Sequence, residues 1–220
     1  MKYAVLGTGM VGNTIGKRLV SLGHEVKMGS RSADNPKAAA FVAEAGKGAS
    51  QGTFADAAAH ADVIFNCTAG GGSLAALEAA GADNLAGKIL IDVSNPLDFS
   101  RGFPPSLSVC NTDSLGEQLQ RAFPALRVVK ALNTVNCLLM VEPARVPGDH
   151  VTFVAGNDAA AKAQVQELLR EFGWRSILDL GDITMARGLE AYLLLWIRLY
   201  GALGTADFNV SLTRAAAAAH

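Results

Sequence analysis

The sequence predicts an α/β protein built on a mostly parallel, doubly wound sheet, and three observations predict it. Apolar runs of strand length recur along the chain, and Ala- and Leu-rich segments of helix length separate most of them. Half of the residues are hydrophobic and only 18% are charged. Continuous apolar strands alternating with helices are what a parallel sheet covered on both faces requires. The apolar share supplies a core and argues against intrinsic disorder. At 220 residues the chain is of single-domain size. It reads as a sheet domain over residues 1–180 and a small C-terminal helical element over 181–214 belonging to the same unit, then residues 215–220. That last segment, an alanine run closed by His220, reads as a frayed tail or a remnant of cloning.

Taken in order, strands are expected at residues 3–6, 25–28, 63–67, 89–93, 127–130 and 151–155, with 176–180 a further candidate. A helical pattern follows the first strand and reaches about Leu22. Asp34-Asn35-Pro36 sets a capping residue before a proline, opening a helix over 37–45 that Gly46 can end. Asp34 is expected to act as that cap and so to turn away from the neighbouring loops. One long helix is expected over 183–203. From Leu189 to Tyr200 only Glu190 and Arg198 are charged, and the bulky apolar side chains lie on all sides, so the helix needs cover on more than one face. Either other helices of this chain supply it or, as we expect, a second copy does, making a homodimer.

Several functional classes are set aside at this stage. Lys+Arg 19 against Asp+Glu 20 leaves a net charge of −1, which provides no general attraction for nucleic acid or an anionic membrane surface. The apolar run 189–203 is too short and too charged for a membrane span. The three cysteines include no C-x-x-C pair, and the first apolar run is too short for a signal peptide, so a cytoplasmic protein is expected. His24, His60, His150 and His220 lack metal-ligand spacing, and no metal site is expected. His24 reads as a turn residue, while Cys67 and Cys137 read as packing residues.

The most informative string is Gly7-Thr8-Gly9-Met10-Val11-Gly12, a G-x-G-x-x-G lying between the first strand and the first helix. Strand, glycine turn, helix and second strand all fit inside the first 30 residues, as a dinucleotide-binding βαβ unit of Rossmann-like type requires. Gly7 permits a tight turn, Gly9 lets a diphosphate approach the backbone, and Gly12 lets the helix pack close to the strand. Amides at the helix start face the anion. After the second strand an acid would select NAD, but Gly29-Ser30-Arg31-Ser32 stands there with Lys37 one helical turn on. A guanidinium fork, two hydroxyls and a second cation favour NADP(H).

Two more loops at strand ends are placed to flank that cofactor, Cys67-Thr68-Ala69-Gly70-Gly71-Gly72-Ser73 and Ser94-Asn95-Pro96-Leu97. The three glycines either bring backbone close to a flat ring or form a plain helix entry capped by Ser73. The segment 131–137, which follows another strand and carries Asn133, Thr134 and Asn136, is the candidate for the nicotinamide face. No protein acid, base or nucleophile is expected to be obligatory, because the cofactor makes and breaks the bonds.

These residues resemble the deazaflavin (coenzyme F-420)-dependent NADP oxidoreductases and their flavin-linked relatives. The resemblance is carried by residues 7–12, Gly29-Ser30-Arg31, Asn95-Pro96, Val129-Lys130-Ala131-Leu132-Asn133-Thr134, and the late stretch from Gly181-Asp182 to Glu190. It implies a homodimer and direct hydride transfer between NADP(H) and a flavin or deazaflavin ring acting as co-substrate. It places Thr8, Met10, Val11, Ser30, Arg31 and Lys37 on NADP, with Thr68, Ala69, Asn133 and Thr134 near the nicotinamide. Asn133-Thr134 is more similar to the NADPH-binding domains of membrane ferric and cupric reductases, which use ordinary flavin. The larger hydroxyacid dehydrogenases carry a catalytic lysine on a big helical domain, for which the roughly 40 residues beyond Leu180 are too few. Lys130 therefore reads as a strand-end lysine. Two other readings are a reductase of a small carbonyl or imine, and a module that senses NADP(H) without turnover.

Overall fold

The computed structural model describes residues 1–215; most of the proposed tail, 216–220, lies outside them. In chain order the elements are β1 (Lys2–Leu6), α1 (Met10–Ser21), β2 (Glu25–Ser30), α2 (Pro36–Ala45), β3 (Ala49–Thr53), α3 (Phe54–His60) and β4 (Val63–Asn66). A 3₁₀ turn, Gly70–Gly72, leads into α4 (Ser73–Ala80), α5 (Ala82–Leu85) and β5 (Ile89–Asp92). The two-stranded hairpin β6 (Leu97–Asp98) and β7 (Ser106–Leu107) follows, then α6 (Leu115–Ala122), β8 (Arg127–Ala131), α7 (Cys137–Val141), β9 (Val151–Gly156), α8 (Ala159–Phe172), β10 (Ser176–Asp179) and α9 (Ala186–Leu203).

The main sheet has eight strands in the order β10-β9-β8-β5-β4-β1-β2-β3. Six are parallel, from β3 through β8, with the order reversing beside β1. β9 runs antiparallel to β8, and β10 pairs parallel to β9, so the far edge opposes the rest. This is the doubly wound α/β arrangement that the alternation of elements predicts. Alternate strand residues enter two cores. Tyr3, Val5, Phe65 and Ile91 pack beneath α1, α2, α7 and α8, whereas Leu6, Ile64, Leu90 and Val128 pack beneath α3, α4, α5 and α6. Among the described residues no helix is long and apolar enough to cross a membrane.

Three elements depart from the sequence reading. β3 is not among the expected strands because Ala-Ser-Gln-Gly-Thr carries little apolar character; it is an edge strand whose residues are mostly half-buried. The β6–β7 hairpin is also new, having only two residue pairs. The cap of α2 is Asn35, whose side chain accepts from the amides of Lys37 and Ala38, and Asp34 is exposed. Gly46 ends that helix at φ 75 as expected.

The last helix is buried on one stripe, through Ala186, Leu189, Glu190, Leu193 and Ile197. Leu195, Tyr200 and Leu203 remain 54%, 44% and 56% exposed. The tail folds back beyond it, where Phe208 stacks on Trp196 and the Val210 carbonyl accepts from the Val151 amide.

Candidate functional site

The loops after β1, β2 and β4 meet at the reversal of strand order and enclose a cavity of about 590 Å³. Such a crevice, outside the carboxyl ends of the strands, is where ligands of open α/β sheets bind. The walls contain Gly7, Thr8, Gly9, Ser30, Arg31, Cys67, Thr68 and Ala69 from the sequence-derived set. Asn35, Phe54, Gly72, Ala75, Ala76 and Ala79 complete them.

The three glycines of the first turn differ in what surrounds them. Gly7 has φ 116, and a Cβ there would stand 2.6 Å from the Cys67 carbonyl oxygen. At Gly12 a Cβ would stand 2.2 Å from the Gly7 carbonyl oxygen, so helix and turn touch only because the side chain is missing. At Gly9 nothing lies within 4 Å. Gly9 is also the N-cap of α1 and lends no side-chain bond to the amides of the first turn. The start of α1 therefore presents unpaired N–H groups and the positive end of the helix dipole to an open cradle, which fits a dinucleotide diphosphate.

At the other end, Ser30 is buried and donates to the Ser32 carbonyl, fixing the loop from which Arg31 emerges. Among the described residues neither Arg31 nor Lys37 is engaged in an ion pair. Arg31 lies on the cavity wall; Ser32 and Lys37 are exposed beyond it. Met10 is 74% exposed at the opening of α1, whereas Val11 packs against the core.

The remaining candidates gather at the carboxyl ends of β4, β5 and β8. The Gly70 backbone lies so close to Asn95 that a Cβ would stand 2.1 Å from the Asn95 carbonyl oxygen, with Pro96 next to it. Asn95 Nδ2 donates to the Asn133 carbonyl at 3.0 Å, and Asn133 Nδ2 donates to Asn95 Oδ1 at 2.9 Å and to the Leu189 carbonyl at 3.0 Å. Asn133 and Thr134 are buried. The residue before them, Leu132, sits at φ 61. A leucine held in the left-handed region costs about 1–3 kcal/mol, strain of the kind that collects at functional sites. Ser73 is not a helix cap, since that position falls to Gly72. Its buried hydroxyl instead accepts from Asn66 Nδ2 at 2.9 Å and lies 3.0 Å from Thr68 Oγ1.

Sequence reasoning missed the polar ladder behind these loops. Asn66, Asp92 and Lys130 are register partners on β4, β5 and β8, all fully buried. Asn66 Nδ2 donates to Asp92 Oδ1 at 2.9 Å, and Lys130 Nζ donates to Asp92 Oδ2 at 2.8 Å and to the Ser94 carbonyl at 2.6 Å. Glu190 Oε1 of α9 lies 2.8 Å from Lys130 Nζ. Burial opposes the Lys130 charge, but Asp92 and Glu190 outweigh it and hold its pKa above the ordinary lysine value. Lys130 is thus a buried ionic hub and more than a strand-end lysine. The signal available was a polar residue at or near the end of three apolar runs, Val63–Asn66, Ile89–Asp92 and Arg127–Ala131. Burial, with a lesser contribution from Asp92, raises the pKa of the Cys67 thiol, consistent with a packing role.

The family described as NADP oxidoreductase coenzyme F420-dependent matches residues 2–96. A crystal structure of a candidate F420-dependent NADP reductase from Arthrobacter sp. FB24 is 55% identical, covers 97% of this chain and is itself covered completely, with a TM-score of 0.93. Metalloreductase STEAP3 of Rattus norvegicus is 35% identical over 193 residues, 86% of this chain and 36% of that protein. The F420-dependent NADP reductase of Methanocaldococcus jannaschii is 30% identical over 118 residues, 53% of this chain and 52% of that protein. The chain is thus aligned with only part of each of these two curated relatives. The glycine turn, the cavity it opens into and the full-length match to the Arthrobacter protein together establish that this chain belongs to the coenzyme F420-dependent NADP oxidoreductase family.

Proposed function

We propose that the protein binds NADP(H) and passes hydride between NADPH and a flavin or deazaflavin ring, working as a homodimer. The single observation that carries the cofactor half is the open cradle at Gly9 opposite the uncommitted Arg31 on the same cavity wall. Thr8, Gly9, Met10 and Val11 would receive the diphosphate, on the turn that Gly7 and Gly12 shape. Ser30, Arg31, Ser32 and Lys37 would receive the 2′-phosphate, and Phe54 with Ala75 and Ala79 gives an apolar wall suited to adenine. Cys67, Thr68, Ala69, Asn95, Pro96, Asn133 and Thr134 would surround the nicotinamide. When bound, the cofactor supplies the hydride. The protein's own part is to hold two rings at the near-attack distance of roughly 3 to 3.5 Å and to exclude water. The ring acceptor is supported by the family name and by the activity for which the M. jannaschii relative is named. The dimer is supported by the exposed apolar residues of α9.

The test is direct. Arg31→Ala is expected to weaken NADPH binding roughly tenfold to a hundredfold and to leave NADH binding unchanged, as loss of one near-surface charge pair predicts. Equal losses for both cofactors would reject the phosphate assignment. Purified protein with NADPH is then offered FMN, FAD, a deazaflavin and a carbonyl panel, and reduced-nicotinamide absorbance is followed. Turnover with a ring is expected; turnover with carbonyls alone, or binding without turnover, would replace this reading by one of the other two.

A further inference from the structure

The loops on the two halves of the site are anchored differently. Those after β1 and β2 are held locally, by the Gly7 amide on the Gly29 carbonyl, Ser30 on Ser32, and the Asn35 cap. The three on the other half converge on one cluster. Thr68 Oγ1 donates to Asn66 Oδ1 at 2.7 Å, and Asn66 in turn donates to Asp92. The Ser94 carbonyl, one residue before Asn95, accepts from Lys130. Asn133 is joined both to Asn95 and to the Leu189 carbonyl of α9, adjacent to Glu190.

We propose that Lys130 and Glu190 are positioning residues, which set the nicotinamide half of the cofactor site by tying the loops after β4, β5 and β8 to α9. The proposal rests on the NADP(H) reading above. Its physical basis is that the cluster has one stable geometry. Lys130 is fully buried between two carboxylates, and a buried ammonium must keep its partners because hydrocarbon cannot replace them. Glu190 has a further set of partners. Its Oε2 accepts from the Leu115 amide at 2.9 Å and its Oε1 from the Gly116 amide at 3.0 Å, so the carboxylate also closes the first turn of α6. The second negative charge is thereby balanced by a helix terminus, and α9 cannot slide along the sheet without breaking both sets of bonds. Neither residue lines the cavity. Both act through Ser94, Asn66 and Asn133.

The experiment compares a whole cofactor with its adenosine half. Binding of NADP⁺ and of adenosine 2′,5′-bisphosphate is measured by calorimetry for wild type and Glu190→Gln, with thermal melts alongside. Glu190→Gln is nearly isosteric and keeps one acceptor oxygen for Lys130 and the Gly116 amide, giving up only the bond from the Leu115 amide, so it keeps the proposal testable should Lys130→Met fail to fold. NADP⁺ affinity is expected to fall roughly 3- to 30-fold while the bisphosphate binds as in wild type within about twofold. A role confined to stability would lower the melting temperature and leave both affinities in their original ratio. Retention of both affinities, or equal loss of both, overturns the proposal. Wild type that binds the bisphosphate as tightly as NADP⁺ overturns it too, because no nicotinamide half then contributes. Wild type that binds neither ligand removes the NADP(H) reading itself, and this proposal with it.

Discussion

The glycine turn separates folding from binding at the level of single atoms. Gly12 is required by the fold, because a Cβ there meets the Gly7 carbonyl oxygen at 2.2 Å and that backbone has nowhere to go. Gly12→Ala is therefore expected to cost about 2–3 kcal/mol or more, the price of forcing an atom into a packed contact. Gly9 faces empty space at φ −78, a conformation open to any residue. Gly9→Ala should fold with stability within about 1 kcal/mol of wild type, a small gain in backbone rigidity offsetting a poorer N-cap. Its NADPH affinity should nevertheless drop at least about tenfold, since the new methyl would stand in the path of the proposed diphosphate. Melting temperatures and calorimetric titration of the two variants check both halves of this contrast. The tight turn at Gly7, the open backbone at Gly9 and the close packing at Gly12 were legible in the string itself, because the motif encodes backbone geometry. The Asn66-Asp92-Lys130 ladder was not, because it forms across three strands that only the sheet register brings together.

Among the elements, α6 and α9 are joined by a pair that titrates. Arg187 Nε and Nη2 donate to both oxygens of Glu117, at 2.8 and 2.6 Å, and the Ser114 hydroxyl adds a third bond. The Arg187 bonds are the main reason that the Glu117 pKa is lowered; partial burial works against them and Ser114 assists. A carboxylate whose folded pKa is depressed contributes stability above its unfolded value, near 4.5 here, and that contribution is lost as pH falls through the folded value. Arg187 is 39% exposed, so solvent screening keeps the contribution of the pair modest. Glu117→Gln is thus expected to be less stable than wild type near neutral pH, and the gap in urea denaturation should close in acid. A gap that widens below pH 4.5 would contradict this sign. Elements with strong apolar runs, such as β1, β4, β5 and β8, were legible within a residue or two. β3 and the β6–β7 hairpin were hidden because an edge strand with half-buried polar residues has no periodicity to detect.

For the whole molecule, the reversed direction of β9 and β10 determines where α9 goes. The 3₁₀ turn Ile183–Met185 starts at the amino edge of the sheet, where the Ile183 amide donates to Asn157 just beyond β9. From there the helix climbs to Lys130 at the carboxyl edge and continues past it. The sheet and α6 thus cover one stripe of α9, and the returning tail adds Phe208 against Trp196. The sequence reading of a helix apolar on all sides was sound, but the one chain leaves much of that surface open, with Leu195 54% and Leu203 56% exposed. Water against so much leucine and tyrosine is unfavourable by about 25 cal/mol per Å², which the proposed second copy would relieve by pairing α9 with α9. Leu195→Glu alters a side chain that the single chain does not need for its core, so the variant should melt at a temperature close to wild type. Sedimentation velocity is expected to find wild type at twice the mass of one chain and Leu195→Glu at the mass of one. Wild type sedimenting as a single chain at micromolar concentration would remove the dimer, and some other occupant would then have to cover that face.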